Sequence, residues 1–215
     1  MADEIRDDIQ LAAFLESLGS SAPTPGGGAA SALTGALAAA LAEMVAQLTV
    51  GRPKFVEVDE RVRALIGRLR TARTRLVHLI AEDERAFQAV SAAYRLPKAS
   101  DDERSTREEA TQVALRAAMQ PPLAVMSTAR DVLALAEEVA RIGNGTVVSD
   151  AGCAAIIGEA ATRAAGLNVL ANVVLLRDTV AAGDAQRQVA ELEASAASLC
   201  QQALVTVRQR MGLEP

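Results

Sequence analysis

A carboxylate interrupts the apolar stripe of one long predicted helix. Leu76 and Ile80 lie on this stripe, Asp83 takes the next position at helical spacing, and Phe87 and Tyr94 continue it. A carboxylate on an apolar face is costly unless it is paired or used, and burial raises its pKa towards neutrality. Asp83 is therefore a candidate general acid or base, or else it pairs with an arginine of a neighbouring helix or lies at the edge of the fold.

Two asparagines form a second polar feature within an apolar region. Asn168 and Asn172 are four residues apart, so they share one helix face among alanine, valine and leucine residues. Two carboxamides in this arrangement can hold a polar heterocycle, because each can donate and accept hydrogen bonds. A hydrogen-bonded contact between two helices in the core is the alternative interpretation. Asp150, further upstream, is interpreted as a helix N-cap.

A loop rich in proline and glycine precedes an alanine-rich segment. The loop reads Pro23-Thr24-Pro25-Gly26-Gly27-Gly28, and we expect it to open onto a helix over residues 29–50. Successive glycines let the backbone approach a ligand closely, and the free N–H groups at a helix start favour an anion. A tight turn between two helices is the alternative interpretation.

Four basic residues flank two predicted helix ends. Arg52 and Lys54 follow the alanine-rich helix, and Arg95 and Lys98 follow the helix that carries Asp83. Local groups of positive charge can hold the carboxylates of a substrate. Basic residues near helix C-termini also complement the helix dipole, which is the simpler interpretation.

Helical periodicity runs through the whole chain, and no segment shows sustained alternation of apolar and polar residues. Long amphipathic segments joined by short loops predict an all-α fold, an antiparallel bundle of long helices in a single domain over residues 1–215. The first predicted helix ends at Gly19, the second is ended by Gly51 and Pro53, and the third runs from about Glu57 to Arg95. The fourth runs from a capping box at Ser100 to Gly143 and is interrupted at Pro121-Pro122, either by a kink or by a short break. The fifth runs from Ser149 or Asp150 to about Val180, and the last from Gly183-Asp184 to near Gly212.

Composition narrows the function classes. The net charge of −5 disfavours nucleic-acid binding, which needs a basic face. One histidine and two cysteines without metal-ligand spacing, Cys153 and Cys200, predict buried free thiols and no metal site. The acidic N-terminus lacks the features of a signal peptide, and no segment is a convincing membrane span. We expect a cytoplasmic protein without membrane or nucleic-acid partners.

Four separated segments together resemble the cyclodeaminase/cyclohydrolase family of folate enzymes. They are the glycine loop with its alanine-rich helix into Leu48-Thr49-Val50-Gly51, the run from Asp83 to Lys98, the segment Gly143-Asn144 to Ser149-Asp150, and the segment from Asn168 to Asp178. Ala29, Thr146 and the Ala164-Ala165 pair depart from residues that are usual in that family.

The resemblance implies an all-helical homodimer that acts on a reduced folate without a metal or organic cofactor. It implies hydrolysis of 5,10-methenyltetrahydrofolate to 10-formyltetrahydrofolate, with formiminotetrahydrofolate cyclodeaminase activity or non-catalytic folate binding as alternatives. Asp83 is the hypothesised base, the two asparagines hold the pterin or the developing intermediate, and Lys54, Arg95 and Lys98 meet the glutamate carboxylates. The residues expected to line or support the folate cleft are Pro25, Gly26, Gly27, Gly28, Lys54, Phe87, Arg95, Pro97, Lys98, Asn144, Asp150, Asn168 and Asn172.

Overall fold

The computed structural model describes residues 10–213, and every regular element within that range is helical. The prediction of an all-α fold is confirmed. Short 3₁₀ turns cover Pro53–Val58 and Gly145–Val147. The α-helices are α1 (Leu11–Leu18), α2 (Gly27–Gln47), α3 (Asp59–Tyr94), α4 (Asp101–Ala118), α5 (Gln120–Ile142), α6 (Val148–Val173) and α7 (Thr179–Arg210).

The long helices pack around α5, which contacts α2, α3, α6 and α7. Helices α2 and α6 also pack against each other and run in opposite directions, because Gly27 lies beside Asn168 while Ala38 lies beside Gly158. Small side chains allow this close approach, since much of the buried face of both helices is alanine or glycine. The core is therefore built from aliphatic residues with almost no aromatic contribution.

Helix α2 has the length and hydropathy of a membrane-spanning segment, but 61% of that apolar window is buried inside the fold. Its single charged residue, Glu43, is buried and binds Arg70 at 3.1 Å and Arg73 at 3.2 Å, both from α3. The apolar composition of α2 thus matches a helix that packs against α3, α5 and α6.

Two predicted helix boundaries agree with the structure. The side chain of Ser100 accepts a hydrogen bond from the Glu103 N–H, and the Glu103 carboxylate accepts from the Ser100 N–H, which completes the capping box. Pro121 and Pro122 lie in the first turn of α5, where a missing N–H costs nothing. The chain therefore breaks between α4 and α5 instead of kinking within one helix.

Other predicted boundaries are wrong. Helix α2 already includes Gly27 and Gly28, with Gly26 at its N-cap. Neither Ser149 nor Asp150 caps α6, because its N-cap is Val147 and Asp150 lies inside the first turn.

The boundary between the last two helices also differs from the prediction. Helix α6 ends at Val173, and Asp178 caps α7 by accepting from the N–H groups of Val180 and Ala181. Gly183 and Asp184 are consequently interior residues of α7. Of the two cysteines, Cys200 is buried as expected, whereas Cys153 is exposed.

Candidate active site

A cleft of about 380 Å³ opens where the glycine loop meets α3, α4 and α6. It brings together Asp83, the glycines, Phe87 and both asparagines, which are far apart in sequence. The Thr24–Pro25 peptide bond in the loop is cis. The lining residues are Pro23, Thr24, Gly26, Gly27, Gly28, Asp83, Ala86, Phe87, Val90, Tyr94, Leu115, Ala118, Asn168, Ala171, Asn172 and Leu175.

Asp83 lies directly against the start of α2. A Cβ atom at Gly28 would be only 2.1 Å from the Asp83 Oδ1 atom, so no side chain fits at position 28. The carboxylate therefore lies beside the free N–H groups and the positive end of the α2 dipole. The glycine loop therefore has a physical role: because Gly28 has no side chain, the Asp83 carboxylate can reach the N-terminus of α2.

Burial raises the pKa of the Asp83 carboxyl above its ordinary value, and the negative charge of Glu84 acts in the same direction. A hydrogen bond from the Ala29 N–H opposes this rise without cancelling it. No lysine or arginine contributes to the environment of this carboxyl within residues 10–213, so the alternative of a structural ion pair is not what the structure shows. A half-buried carboxylate of this kind suits proton transfer.

The two asparagines present acceptor oxygens to the cleft. Asn168 donates its Nδ2 to the Ala164 carbonyl at 2.9 Å, and Asn172 donates its Nδ2 to the Asn168 carbonyl at 2.9 Å. Their Oδ1 atoms make no hydrogen bond with the described part of the chain, and Asn168 faces the space above Gly27. Two free carbonyl-type acceptors can receive the N–H groups of a heterocycle.

An apolar wall extends from Asp83 along α3. Phe87, Val90 and Tyr94 follow it at helical spacing, and Leu115 of α4 and Leu175 beyond α6 complete the wall. The side chains of Phe87 and Tyr94 are each 43% exposed, although both are aromatic. Such partly open apolar surfaces beside polar groups are typical of ligand sites.

Several predicted site residues lie near the cleft without lining it. Pro25 lies between lining residues of the loop, and Arg95, Pro97 and Lys98 lie on the exposed segment just after Tyr94. The Lys98 carbonyl accepts from Arg104 at 3.3 Å, which holds this segment against α4.

Three other predicted residues lie at the opposite end of the molecule. Asn144 is buried and donates its N–H to Thr49 Oγ1 at 2.8 Å and its Nδ2 to the Leu48 carbonyl at 3.2 Å. Leu48 follows Gly28 by twenty residues of helix, or about 30 Å. The structure therefore does not bring Asn144, or the nearby Asp150, to the cleft of the same chain.

Lys54 is equally remote from the cleft. Its Nζ atom lies over the ring of the neighbouring Phe55, 5.7 Å from the ring centre. It precedes α3, and Asp83 lies twenty-four residues beyond the start of that helix, or about 36 Å away. Its predicted contact with substrate carboxylates is therefore not made within one chain.

Sequence reasoning missed the contribution of α4. Leu115 and Ala118 are ordinary apolar positions of an amphipathic helix, so no local signal marks them as part of the cleft. Tyr94 and Val90 could have been found, because they continue the stripe that carries Asp83. Pro23 and Thr24 belonged to the recognised loop and line the cleft in place of Pro25.

Comparisons with known proteins identify similar chains. The chain is 42% identical over 198 residues to a protein of Methylorubrum extorquens named methenyltetrahydrofolate cyclohydrolase, which covers 92% of this chain and 95% of that protein. It is 38% identical over 173 residues to the formimidoyltransferase-cyclodeaminase of Rattus norvegicus, but this match spans only 32% of the rat protein.

The structural comparison gives the same result. The crystal structure of formiminotetrahydrofolate cyclodeaminase from Thermotoga maritima matches with a TM-score of 0.85 and 28% identity, covering 95% of this chain and 98% of that one. The profile of the formiminotransferase-cyclodeaminase family matches residues 10–191. The resemblance inferred from the four segments is confirmed, and the chain belongs to the formiminotransferase-cyclodeaminase family.

Proposed function

We propose that this protein hydrolyses 5,10-methenyltetrahydrofolate to 10-formyltetrahydrofolate. The observation that carries the proposal is the half-buried Asp83 carboxylate, which lies against Gly28 in the same cleft as Asn168 and Asn172. The near full-length similarity to a protein named methenyltetrahydrofolate cyclohydrolase supports the choice of reaction.

Asp83 serves as the proton carrier of the reaction. The bridge carbon of the substrate lies in a cationic amidinium and is already electrophilic, so the proposal needs no metal or organic cofactor. Water adds to that carbon and gives one proton to the Asp83 carboxylate, which forms a neutral tetrahedral intermediate. The bond from this carbon to N5 then breaks as N5 takes the proton from Asp83. The hydroxyl group of the intermediate releases its proton to solvent and becomes the carbonyl of the formyl group, which remains on N10.

The remaining cleft residues position the substrate. The Oδ1 atoms of Asn168 and Asn172 accept N–H groups of the pterin ring, and Phe87 packs against its apolar surface. The Asp83 carboxylate also attracts the positive charge of the methenyl bridge in a partly dry cleft. Orientation and charge together hold the bridge carbon near the attacking water.

Replacement of Asp83 by asparagine tests the proposal. We expect Asp83→Asn to lower kcat by about 10²–10⁴-fold, measured as loss of the methenyl chromophore after correction for spontaneous hydrolysis. Glu60→Gln is the matched control, because it removes an exposed carboxylate of the same helix that neither lines the cleft nor affects the Asp83 pKa. A correctly folded Asp83→Asn protein with the wild-type rate would remove Asp83 from the mechanism.

Cyclodeaminase activity is the second candidate, and the structural match to the Thermotoga maritima enzyme favours it. That reaction closes the same ring of 5-formiminotetrahydrofolate and releases ammonia, so one cleft can serve both reactions. Purified protein should be assayed with 5,10-methenyltetrahydrofolate and with 5-formiminotetrahydrofolate, and release of ammonia should be measured with the latter. Tight binding of a folate without turnover of either substrate would instead support a non-catalytic folate-binding protein.

A homodimer belongs to the same proposal, and the exposed face of α2 and α6 supports it. On α2 the exposed positions include Leu37 and Met44, and on α6 they include Ile156 and Leu167. The only charged residue of α2, Glu43, faces the core. Helices α2 and α6 pack against each other, and α5 packs against both. A broad apolar face on a folded protein is typical of an interface between subunits.

A cytoplasmic location is a further part of the proposal. Cys153 and Cys200 are both free thiols. Free thiols are typical of reducing compartments, where disulfides rarely persist.

A further inference from the structure

A second pocket of about 360 Å³ adjoins the cleft on the side of α4. Tyr94, Leu115 and Leu175 line both spaces, so the second pocket is a continuation of the first. We call it the α4 annex; its remaining lining residues are Arg104, Arg107, Glu108, Thr111 and Gln112.

The two arginines of the annex differ in what they bind. Arg104 is occupied by the Lys98 and Ala99 carbonyls and by the Asp101 carboxylate. Arg107 donates only its Nε to the Tyr94 carbonyl at 3.1 Å. Its two terminal nitrogens make no hydrogen bond or ion pair with residues 10–213, while the Nε contact fixes the guanidinium group beside the annex.

The surrounding charges leave the annex positive. The Glu108 carboxylate is bound by Arg177. Gln112 is held on both sides, donating to the Leu175 carbonyl at 3.1 Å and accepting from the Arg177 N–H at 2.8 Å. The acidic side chain that lines the annex is therefore neutralised, and the positive charge of Arg107 is available to an anion.

The distance from Asp83 to the annex suits a long substrate. Tyr94 follows Asp83 by eleven residues of α3, or about 16 Å, and apolar side chains line the interval. A ligand can have a polar heterocycle, an aromatic ring and terminal carboxylates. Its heterocycle would meet the asparagine acceptors, its ring the apolar wall along α3, and its carboxylates the Arg107 guanidinium group. A reduced folate has these three parts in this order.

We propose that the α4 annex binds the glutamate carboxylates of the folate substrate, with Arg107 as their principal partner. This inference rests on the proposed function, and it gives Arg107 the role first predicted for Lys54, Arg95 and Lys98. Arginine suits the role because its planar fork can bind a carboxylate through two parallel hydrogen bonds.

The test compares substrates with and without glutamate. We expect Arg107→Gln to raise the KM for 5,10-methenyltetrahydrofolate about tenfold, with kcat changed by less than about twofold. The KM for 5,10-methenyltetrahydropteroate, which lacks the glutamate, should not change. Arg107→Lys keeps the charge and should recover part of the loss. Arg187→Gln is the matched control, because it removes an exposed arginine of α7, which lines neither the cleft nor the annex.

Two outcomes would overturn the inference. An equal rise in KM for both substrates would mean that Arg107 only supports Tyr94 through its carbonyl, and no change for either would mean that the carboxylates bind elsewhere. Calorimetric binding of tetrahydrofolate and tetrahydropteroate gives the same comparison without turnover. If the wild-type protein hydrolyses neither substrate, the proposed function fails, whereas the ratio of these two affinities still decides whether the annex recognises glutamate.

Discussion

At the level of single residues, the contact between Asp83 and Gly28 dominates the site. The carboxyl oxygen occupies the space that a methyl group at position 28 would need. A side chain there must displace either Asp83 or the first turn of α2. The glycine is required for steric reasons, because a Cβ atom at this position would overlap the Asp83 carboxyl group.

Gly28→Ala should therefore reduce activity about a hundredfold and lower the free energy of unfolding by about 1–3 kcal/mol, since overpacking forces a displacement. The double variant Gly28→Ala/Asp83→Ala should recover the stability but not the activity, because it removes the clash and the base together. Thermal unfolding and the rate of methenyl loss measure the two effects. A fully active Gly28→Ala protein would contradict the close contact.

The pH dependence of the reaction follows from the raised pKa of Asp83. A base must be ionised, so kcat/KM should fall as the pH decreases through this pKa and should level off above it. The acidic limb is expected above the ordinary range of an aspartate. Rates measured across the acidic and neutral range, corrected for spontaneous hydrolysis, should show this limb in the wild type. The residual rate of Asp83→Asn should lack it.

At the level of elements, Gln112 joins α4 to the segment that follows α6. Its two hydrogen bonds hold Leu175 and Arg177, and Leu175 lines both the cleft and the annex. Helix α4 thus fixes a wall of the site although it contributes no acid or base to the proposed chemistry.

Gln112→Ala should lower the free energy of unfolding by about 1 kcal/mol, because two exposed hydrogen bonds are lost. The KM for the folate should rise while kcat changes little, since the wall loosens but Asp83 stays in place. Gln188→Ala is a suitable control, because Gln188 is an exposed glutamine of α7 whose side chain makes no hydrogen bond with residues 10–213. Equal effects of the two substitutions would show that the hydrogen bonds of Gln112 contribute neither to stability nor to folate binding.

The sequence predicts some elements well and others poorly for a physical reason. Helix α3 was predicted to within a few residues, because its apolar stripe continues over the whole helix and Pro97 follows it. The end of α6 was missed because Val174, Leu175 and Leu176 continue an apolar pattern with no glycine or proline to mark the break. Only the capping bonds of Asp178 reveal where α7 begins.

At the level of the whole molecule, the predicted site residues fall into two groups at opposite ends of the bundle. The family resemblance predicts that Asp83, Asn168 and Asn172 share one cleft, where the structure has them, but Asn144 and Lys54, predicted for the same cleft, lie about 30 Å or more away. Helical spacing shows which residues share a face, but it does not show which helix ends meet. Arg107 was overlooked for the same reason, since α4 alone looks like a solvated helix.

The proposed homodimer gives a prediction at this scale. Leu37 is 55% exposed on the apolar face of α2, so Leu37→Glu should place a charge in the interface and weaken association at least about a hundredfold. Sedimentation equilibrium measures this change. Val113→Glu introduces the same charge at an exposed apolar position of α4 and should leave association unchanged. A monomeric wild-type protein would rule out the dimer.

The two cysteines differ in a way that is useful for experiments on assembly. Burial, together with a hydrogen bond that the thiol donates to the Glu159 carboxylate, raises the pKa of Cys200 to about 12, so this sulfur stays protonated at neutral pH. Cys153 is exposed on the outer side of α6. A maleimide fluorophore added to the native protein is therefore directed to Cys153 without any substitution. This thiol borders the apolar stripe of α6 that the proposed dimer covers. Its labelling rate at successive dilutions therefore reports how much of the stripe is exposed to solvent.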